Sequence, residues 1–263
     1  MTEPLLVQTR DAVATLTLNR PEIRNAFDDA QIERLTKALR AAEAAPAVRA
    51  VVIAGSGPAF CAGADLNWMK RMAGYTYEQN LADATALAEM LRTLDRMTKP
   101  TIARVHGAAF AGGTGLVAAC DIALGTPAAK ICLSEAKLGL SPATISPYVV
   151  RAMGTRMARR YFLTAEVFDA AEAYRIGLLS ALVPPAELDS ALEGLLKQLL
   201  AGGPQAIAEI KDLIRAVGTG AVDAAMIADT ARRIAEIRVT AEGREGIASF
   251  LEKRKPAWSA REG

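Results

Sequence analysis

Short apolar runs alternate with amphipathic stretches along the first two thirds of the chain. Residues 5–10 and 12–18 read as two strands, the second with Val13, Thr15 and Thr17 in alternation, and the pair fits a hairpin that Asn19-Arg-Pro21 stops. Residues 28–45 carry Ile32, Leu35, Leu39 and Ala42 at helical spacing, and Pro46 ends that helix. The apolar, β-branched run at 48–54 has the pattern of a strand covered on both faces. It enters a glycine-rich turn, Gly55-Ser-Gly-Pro-Ala-Phe-Cys-Ala-Gly63, which leads to Asp65 and a new helical stretch. A long helix over 77–97 closes at Lys99-Pro100. Residues 101–106 form another strand, and Gly107-Ala-Ala-Phe-Ala-Gly-Gly113 is a second glycine-rich turn into helix.

The two turns align in letters as well as in kind. Gly57-Pro-Ala-Phe60-Cys-Ala-Gly63 can be laid over Gly107-Ala-Ala-Phe110-Ala-Gly-Gly113, 50 residues further on, which points to a wound, repeating core. A third unit, 122–124 with 130–133, passes into Leu138-Gly-Leu-Ser-Pro-Ala-Thr-Ile-Ser-Pro147. From about residue 186 the pattern is almost entirely helical, broken at Gly202-Gly-Pro204 and around 218–220. After Pro204, the residues Ile207, Ile210, Leu213 and Ile214 share one side, an apolar face that needs a partner surface.

Composition narrows the class. With 263 residues, 51% hydrophobic and 23% charged, the chain can bury a sizeable core. Its 31 Lys and Arg nearly cancel 29 Asp and Glu, so the pI near 8.4 reflects no nucleic-acid-binding field. Cys61, Cys120 and Cys132, an odd number in apolar surroundings, suit buried free thiols in a reducing cytoplasm. The N-terminus has no basic segment followed by an apolar stretch, so a cytoplasmic location is expected. The longest stretch without Lys, Arg, Asp or Glu, 105–120, is too short and too Gly-rich to span a membrane. A single histidine, His106, excludes a His-rich metal site, and no metal is expected.

Familiar catalytic motifs are mostly absent. There is no phosphate-binding loop ending in Gly-Lys-Ser/Thr, no His-Glu-x-x-His and no Cys-x-x-Cys pair. Gly139-Leu-Ser141-Pro-Ala143 lacks the last glycine of a nucleophile elbow, and Gly112-Gly-Thr-Gly115 lacks dinucleotide-binding spacing. What remains is the pair of glycine-rich turns, each delivering backbone amides at a helix start. Such amides are unsatisfied donors and suit an oxyanion. The plainer reading is that the glycines only permit tight reversals and close packing.

Several segments together resemble the enoyl-CoA hydratase/isomerase (crotonase) superfamily: Asn19-Arg-Pro-x-x-x-Asn-Ala26, Phe60-Cys-Ala-Gly-Ala-Asp-Leu66, His106-Gly-Ala-Ala-Phe-Ala-Gly-Gly113, Cys120-Asp-Ile-Ala123 and Phe250-Leu-Glu-Lys-Arg-Lys-Pro256. They occur in family order over nearly the whole chain. Ala64-Asp-Leu-Asn-Trp-Met69, Leu133-Ser-Glu135 and Ser141-Pro-Ala-Thr-Ile-Ser-Pro-Tyr148 look most like the bacterial methylglutaconyl-CoA hydratase branch. The resemblance implies an α/β crotonase (ClpP-like) spiral of repeated ββα units over 1–200. A C-terminal helical trimerisation segment over 201–263 would assemble a homotrimer or a dimer of trimers. It implies an acyl-CoA substrate, with coenzyme A entering as part of the thioester and no tightly bound cofactor, and neither nucleic acid nor membrane as partner.

By the same resemblance, the amides of Ala64 and Gly112 form an oxyanion hole. Arg24, Ala26, Ala62, Asp65 and Leu66 fall where the family grips CoA, and Phe250 and Lys253 join from another protomer. Of the two glutamates common in hydratases, the second falls on Glu135 and the first on Gly115. Glu135 is flanked by Ile131, Cys132, Leu133 and Ala136, a setting that should raise its pKa toward that of a general acid/base. A single glutamate suits hydration with hydroxyl help from Ser141, Thr144 or Tyr148, isomerisation between C2 and C4 of an enoyl thioester, or, in a silent member, neither, leaving a CoA-binding scaffold. A distal substrate carboxylate would call on Lys70 or Arg71.

Overall fold

The computed structural model describes residues 3–218 and 220–259. They fall into two units, Met1–Met97 with Thr101–Glu193, and Thr98–Pro100 with Gly194–Gly263.

The first unit opens with β1 (Leu5–Arg10) and β2 (Val13–Leu18), antiparallel with Leu5 opposite Leu18. Ala12, expected in the second strand, instead joins Asp11 in the turn, both at positive φ (62° and 49°). A two-residue hairpin turn of type I′ needs that backbone at both central positions. Helix α1 (Asp29–Ala44) buries Ile32, Leu35, Leu39 and Ala42, and Asp28 caps it by accepting the Gln31 N–H at 2.8 Å.

The winding then begins. β3 (Ala50–Gly55) and β4 (Ala59–Cys61) precede α2 (Leu66–Met72) and α3 (Tyr77–Asp95). β5 (Thr101–Val105) and β6 (Ala108–Phe110) precede α4 (Gly112–Ala119). β7 (Ile122–Gly125) and β8 (Lys130–Cys132) precede a 3-10 turn at Glu135–Leu138 and α5 (Ser146–Thr164). β9 (Phe168–Asp169), α6 (Ala170–Arg175) and β10 (Ala181–Leu182) complete the unit. Each turn of the winding gives one strand to each of two sheets. A six-stranded sheet has the order β1-β2-β3-β5-β7-β10 and a four-stranded sheet the order β4-β6-β8-β9. β3, β5 and β7 are parallel neighbours in the first sheet, as β4, β6 and β8 are in the second. This is the crotonase spiral.

The glycine-rich turns are therefore more than turns, because β4 and β6 lie within them. Three-residue strands are too short to show alternation, and the surrounding glycines read as loop. The 50-residue repeat brings β4 beside β6, but their register is one to two residues shorter, with Ala59 opposite Ala108 and, after an irregularity, Cys61 opposite Ala109.

α7 (Leu188–Ala201) begins in the first unit and ends in the second, which also holds α8 (Pro204–Val217), α9 (Ala224–Val239) and α10 (Ala241–Leu251). Arg233 joins α9 to α8 through Glu209 at 2.7 Å and Asp212 at 2.8 Å. Ile210, Ile214 and Phe250 expose most of their apolar surface. Among the described residues no helix is long and apolar enough to cross a membrane.

Candidate active site

The two glycine-rich turns meet because glycine lets their backbones touch. A Cβ on Gly113 would overlap the Cys61 carbonyl oxygen and lie 3.0 Å from Cys61 Cβ, and one on Gly63 would lie 3.0 Å from Phe110 O. Only hydrogen atoms fit at these approaches, so the turn after β4 and the start of α4 sit face to face. The segment ahead of α1 completes the group. Phe27 N–H donates to Gly63 O (2.9 Å), Asp65 N–H donates to Phe27 O (3.0 Å), and Ala62 N–H donates to Arg24 O (2.9 Å).

This pairing passes over one donor. The bridge between Phe27 and Ala64 uses the Phe27 and Asp65 amides and leaves the Ala64 N–H outside the ladder. At the other turn, Gly115 N–H makes the first bond of α4, to Ala111 O at 3.1 Å, so the amides ahead of it have no helical acceptor. Ala111 stands at φ 47° and ψ −116°, a strained backbone that turns β6 sharply into α4, and its own N–H is held by Cys132 O at 2.8 Å. Gly112 is buried against the Phe27 ring, whose Cε2 would lie 3.1 Å from an added Cβ.

The bond from Ala111 to Cys132 also ties the end of β8 to this corner, and Glu135 follows three residues later at the start of its 3-10 turn. Glu135 Oε2 is buried and has no hydrogen-bond partner. Burial pushes its carboxyl above the usual range, opposed only in part by its own backbone amide. Such a group takes and returns a proton near neutral pH more readily than an exposed glutamate.

Of the other predicted site residues, some lie beside this corner and others do not. Ala26 and Ala62 flank the Phe27 and Ala64 bridge, and Arg24 projects from an exposed turn at φ 55°. Asp65 is committed elsewhere: its carboxylate caps α2 by accepting the Asn67 and Trp68 amides and pairs with Arg20 at 3.0 Å. What it offers a ligand is backbone. Leu66 is 72% exposed at the start of α2. Phe250, on α10, and Lys253, at φ 54°, belong to the second unit. Lys70 and Arg71 are exposed on α2, where Arg71 pairs with Asp29 at 2.6 Å. His106 has a structural contact, Nε2 to Gly57 O at 2.8 Å. Cys61, Cys120 and Cys132 form no disulfide, and burial pushes the Cys61 thiol up to about 12. Among the described residues no group of three or more His, Cys, Asp or Glu is placed to hold a metal.

Two residues that hold the corner together were not singled out from the sequence. Asn25, 1% exposed, donates to Ser56 O and Ala59 O (both 2.8 Å) and accepts the Arg20 N–H (2.9 Å). Arg20 joins Asp28 and Asp65, each at 3.0 Å. The signal was a buried-polar pair inside Asn19-Arg-Pro-x-x-x-Asn-Ala26, flanked by turn residues.

Strands wound between two sheets and two abutting glycine-rich turns give the chain a crotonase fold, and near those turns stands Glu135, partly buried, with one oxygen unpartnered. The enoyl-CoA hydratase/isomerase family model matches residues 8–261, and the chain belongs to that family. An enoyl-CoA hydratase from Shewanella pealeana has a solved structure similar at TM-score 0.95, with 43% identity over 97% of this chain and 96% of that one. Pseudomonas aeruginosa AtuE is similar at TM-score 0.92, with 38% identity over 98% of this chain and 100% of that one. The crotonyl-CoA hydratase of Syntrophomonas wolfei is 31% identical over 96% of both chains.

Proposed function

We propose that this protein is an enoyl-CoA hydratase that adds water across the C2=C3 bond of an acyl-CoA thioester, with a methylglutaconyl-CoA-like acyl group as preferred substrate. The observation that carries the reading is the Glu135 carboxylate, with one oxygen buried and unpartnered beside a corner whose Ala64 amide is unspent. The Ala64 and Gly112 amides donate to the thioester oxygen. As the water oxygen bonds to C3, Glu135 takes one of the water's protons, the C2=C3 π electrons form a C1=C2 bond, and the carbonyl π electrons pass to the thioester oxygen. Glu135 then returns the proton to C2 as the enolate collapses, and the enzyme is restored. The amides act mainly on the enolate, where the charge is greatest.

In this reading Arg24 meets the CoA phosphates, the backbones of Ala26, Ala62 and Asp65 line the pantetheine and adenine, and Leu66 supplies apolar cover. Phe250 and Lys253 reach the CoA of another protomer. The spiral core, 1–200, is then joined through the helical segment 201–263 into a trimer or a dimer of trimers, whose contacts cover Ile210 and Ile214. The relatives named as hydratases and the family segments quoted above support hydration, and the wording around Glu135 supports the branched substrate. We place the protein in the cytoplasm. Light scattering that gave a monomer of about 27.8 kDa would remove the assembly.

One observation favours a second reading, Δ3-Δ2 isomerisation. Gly115 carries no side chain, so the position of the family's first glutamate offers no second acid to Glu135. Turnover of 2-enoyl-CoA or methylglutaconyl-CoA in ¹⁸O-labelled water separates the two. Hydration places label at C3 of the product, with poor activity on crotonyl-CoA. Absence of oxygen label on every enoyl-CoA, with solvent deuterium entering C2 or C4 of a converted 3-enoyl-CoA, would establish the isomerase instead.

A further inference from the structure

The face of α4 that carries Gly112 continues one turn on at Gly115. A side chain at Gly115 would meet Ile145: its Cβ would overlap Ile145 Cγ2 and lie 2.9 Å from Ile145 Cβ, with Leu91 Cδ2 at 3.7 Å. A β-branched side chain cannot swing its Cβ aside without moving its backbone. Ile145 is 2% exposed and stands immediately ahead of α5, which packs against both α4 and the 3-10 turn that begins at Glu135. The space over Gly115 is thus filled by carbon. A carboxylate placed there would have neither room nor, from Ile145 and Leu91, a hydrogen-bond partner.

We infer that Ile145 is a specificity-determining residue: by filling the space over Gly115 it holds the acid–base groups of the site to Glu135 alone. The enzyme is thereby confined to enoyl thioesters whose reaction one proton carrier completes. The inference deepens the reading of Glu135 given above and rests on it. With two carboxylates, one can deprotonate water while the other protonates C2. With one, both transfers pass through the same group, and a substrate that positions its own water or proton is favoured.

The test compares wild type, Gly115→Glu, Ile145→Ala and the double variant on crotonyl-CoA, alongside the stability pair Gly115→Ala with and without Ile145→Ala. Gly115→Ala should lower Tm, and Ile145→Ala in the same chain should recover part of that loss relative to the summed single effects. The double variant, Gly115→Glu with Ile145→Ala, should hydrate crotonyl-CoA at least about tenfold faster than Ile145→Ala, and its pH–rate profile should gain a second ionisation. If that double variant does not fold, formate decides. The small carboxylate should accelerate Ile145→Ala hydration saturably and leave wild type unchanged. The inference is overturned if Ile145→Ala brings no coupled recovery of Tm, or if neither the second glutamate nor formate raises hydration. Hydration gained by the double variant with none in wild type on any enoyl-CoA would refute the hydratase reading while supporting this one.

Discussion

Replacing Glu135 by Gln should slow turnover sharply and stabilise the folded protein at once. Burial raises the Glu135 carboxyl above its unfolded value, and Oε2 has no partner to repay the desolvation. Between the unfolded and the raised folded pKa, the folded state keeps a proton that the unfolded state has lost. Stability therefore falls as pH rises through that window and levels off above it. An amide cannot ionise, so the variant escapes this loss. A buried unsatisfied polar group costs about 1–3 kcal/mol. Glu135 is only partly buried and Gln keeps a polar end, so we take about 1 kcal/mol, discounted to the low end for solvent screening. For a chain of this size that is about 2–4 °C in Tm. Calorimetry at about pH 5 and about pH 8 should show the variant's advantage growing with pH, because an ordinary carboxyl titrates near the lower value. In the same preparation kcat should fall by about 10² to 10⁴ with KM little changed. A variant less stable than wild type at the higher pH would mean that Glu135 makes folded-state bonds, and near wild-type turnover would remove its role in proton transfer.

Other substitutions test the corner itself. Gly113→Ala drives a methyl into the Cys61 carbonyl and should cost about 1–3 kcal/mol by denaturant titration, with kcat/KM falling as the two turns separate. Asn25→Ala strands Ser56 O and Ala59 O and should cost about 1–3 kcal/mol, read as a lower urea midpoint at unchanged slope. Lys70→Met or Arg71→Met should raise KM for a carboxylated enoyl-CoA and spare crotonyl-CoA. Arg71 is already paired with Asp29, so Lys70 should show the larger effect, and equal effects on both substrates would count against either residue.

The fold was legible where periodicity is long. Ile32, Leu35, Leu39 and Ala42 mark α1, and all four are buried in it. The run near 48–54 marks β3, fully buried along Ala50–Ala54, because a parallel strand between helices is apolar on both faces. Two sheets were not legible. β4, β6 and β8 have three residues each, and their pairing partners lie about one winding away in sequence. No local pattern reports a contact of that separation. Ala12 left its strand for the same reason of scale, since the turn needed two residues at positive φ and Asp11 supplied only one.

For the candidate site, side chains were easier to find than the groups that place them. The apolar flanks of Glu135 agree with the direction of its shift, which burial raises. The Ala64 amide is different. It is left out because the bridge to Phe27 uses the Gly63 carbonyl and the Asp65 amide on either side of it, a fact of register across 37 residues that alanine itself does not encode. Asp65 shows the converse: a carboxylate in a binding segment looks available, yet two helix amides and Arg20 use it. Gly115 carries the same lesson to the chemistry. Glycine there reads as a missing acid, whereas Ile145 makes it a required absence, because any side chain would displace a β-branched residue that meets α4 from the start of α5. Restoring an acid by changing residue 115 alone should therefore fail for steric reasons before its proton transfer is ever tested.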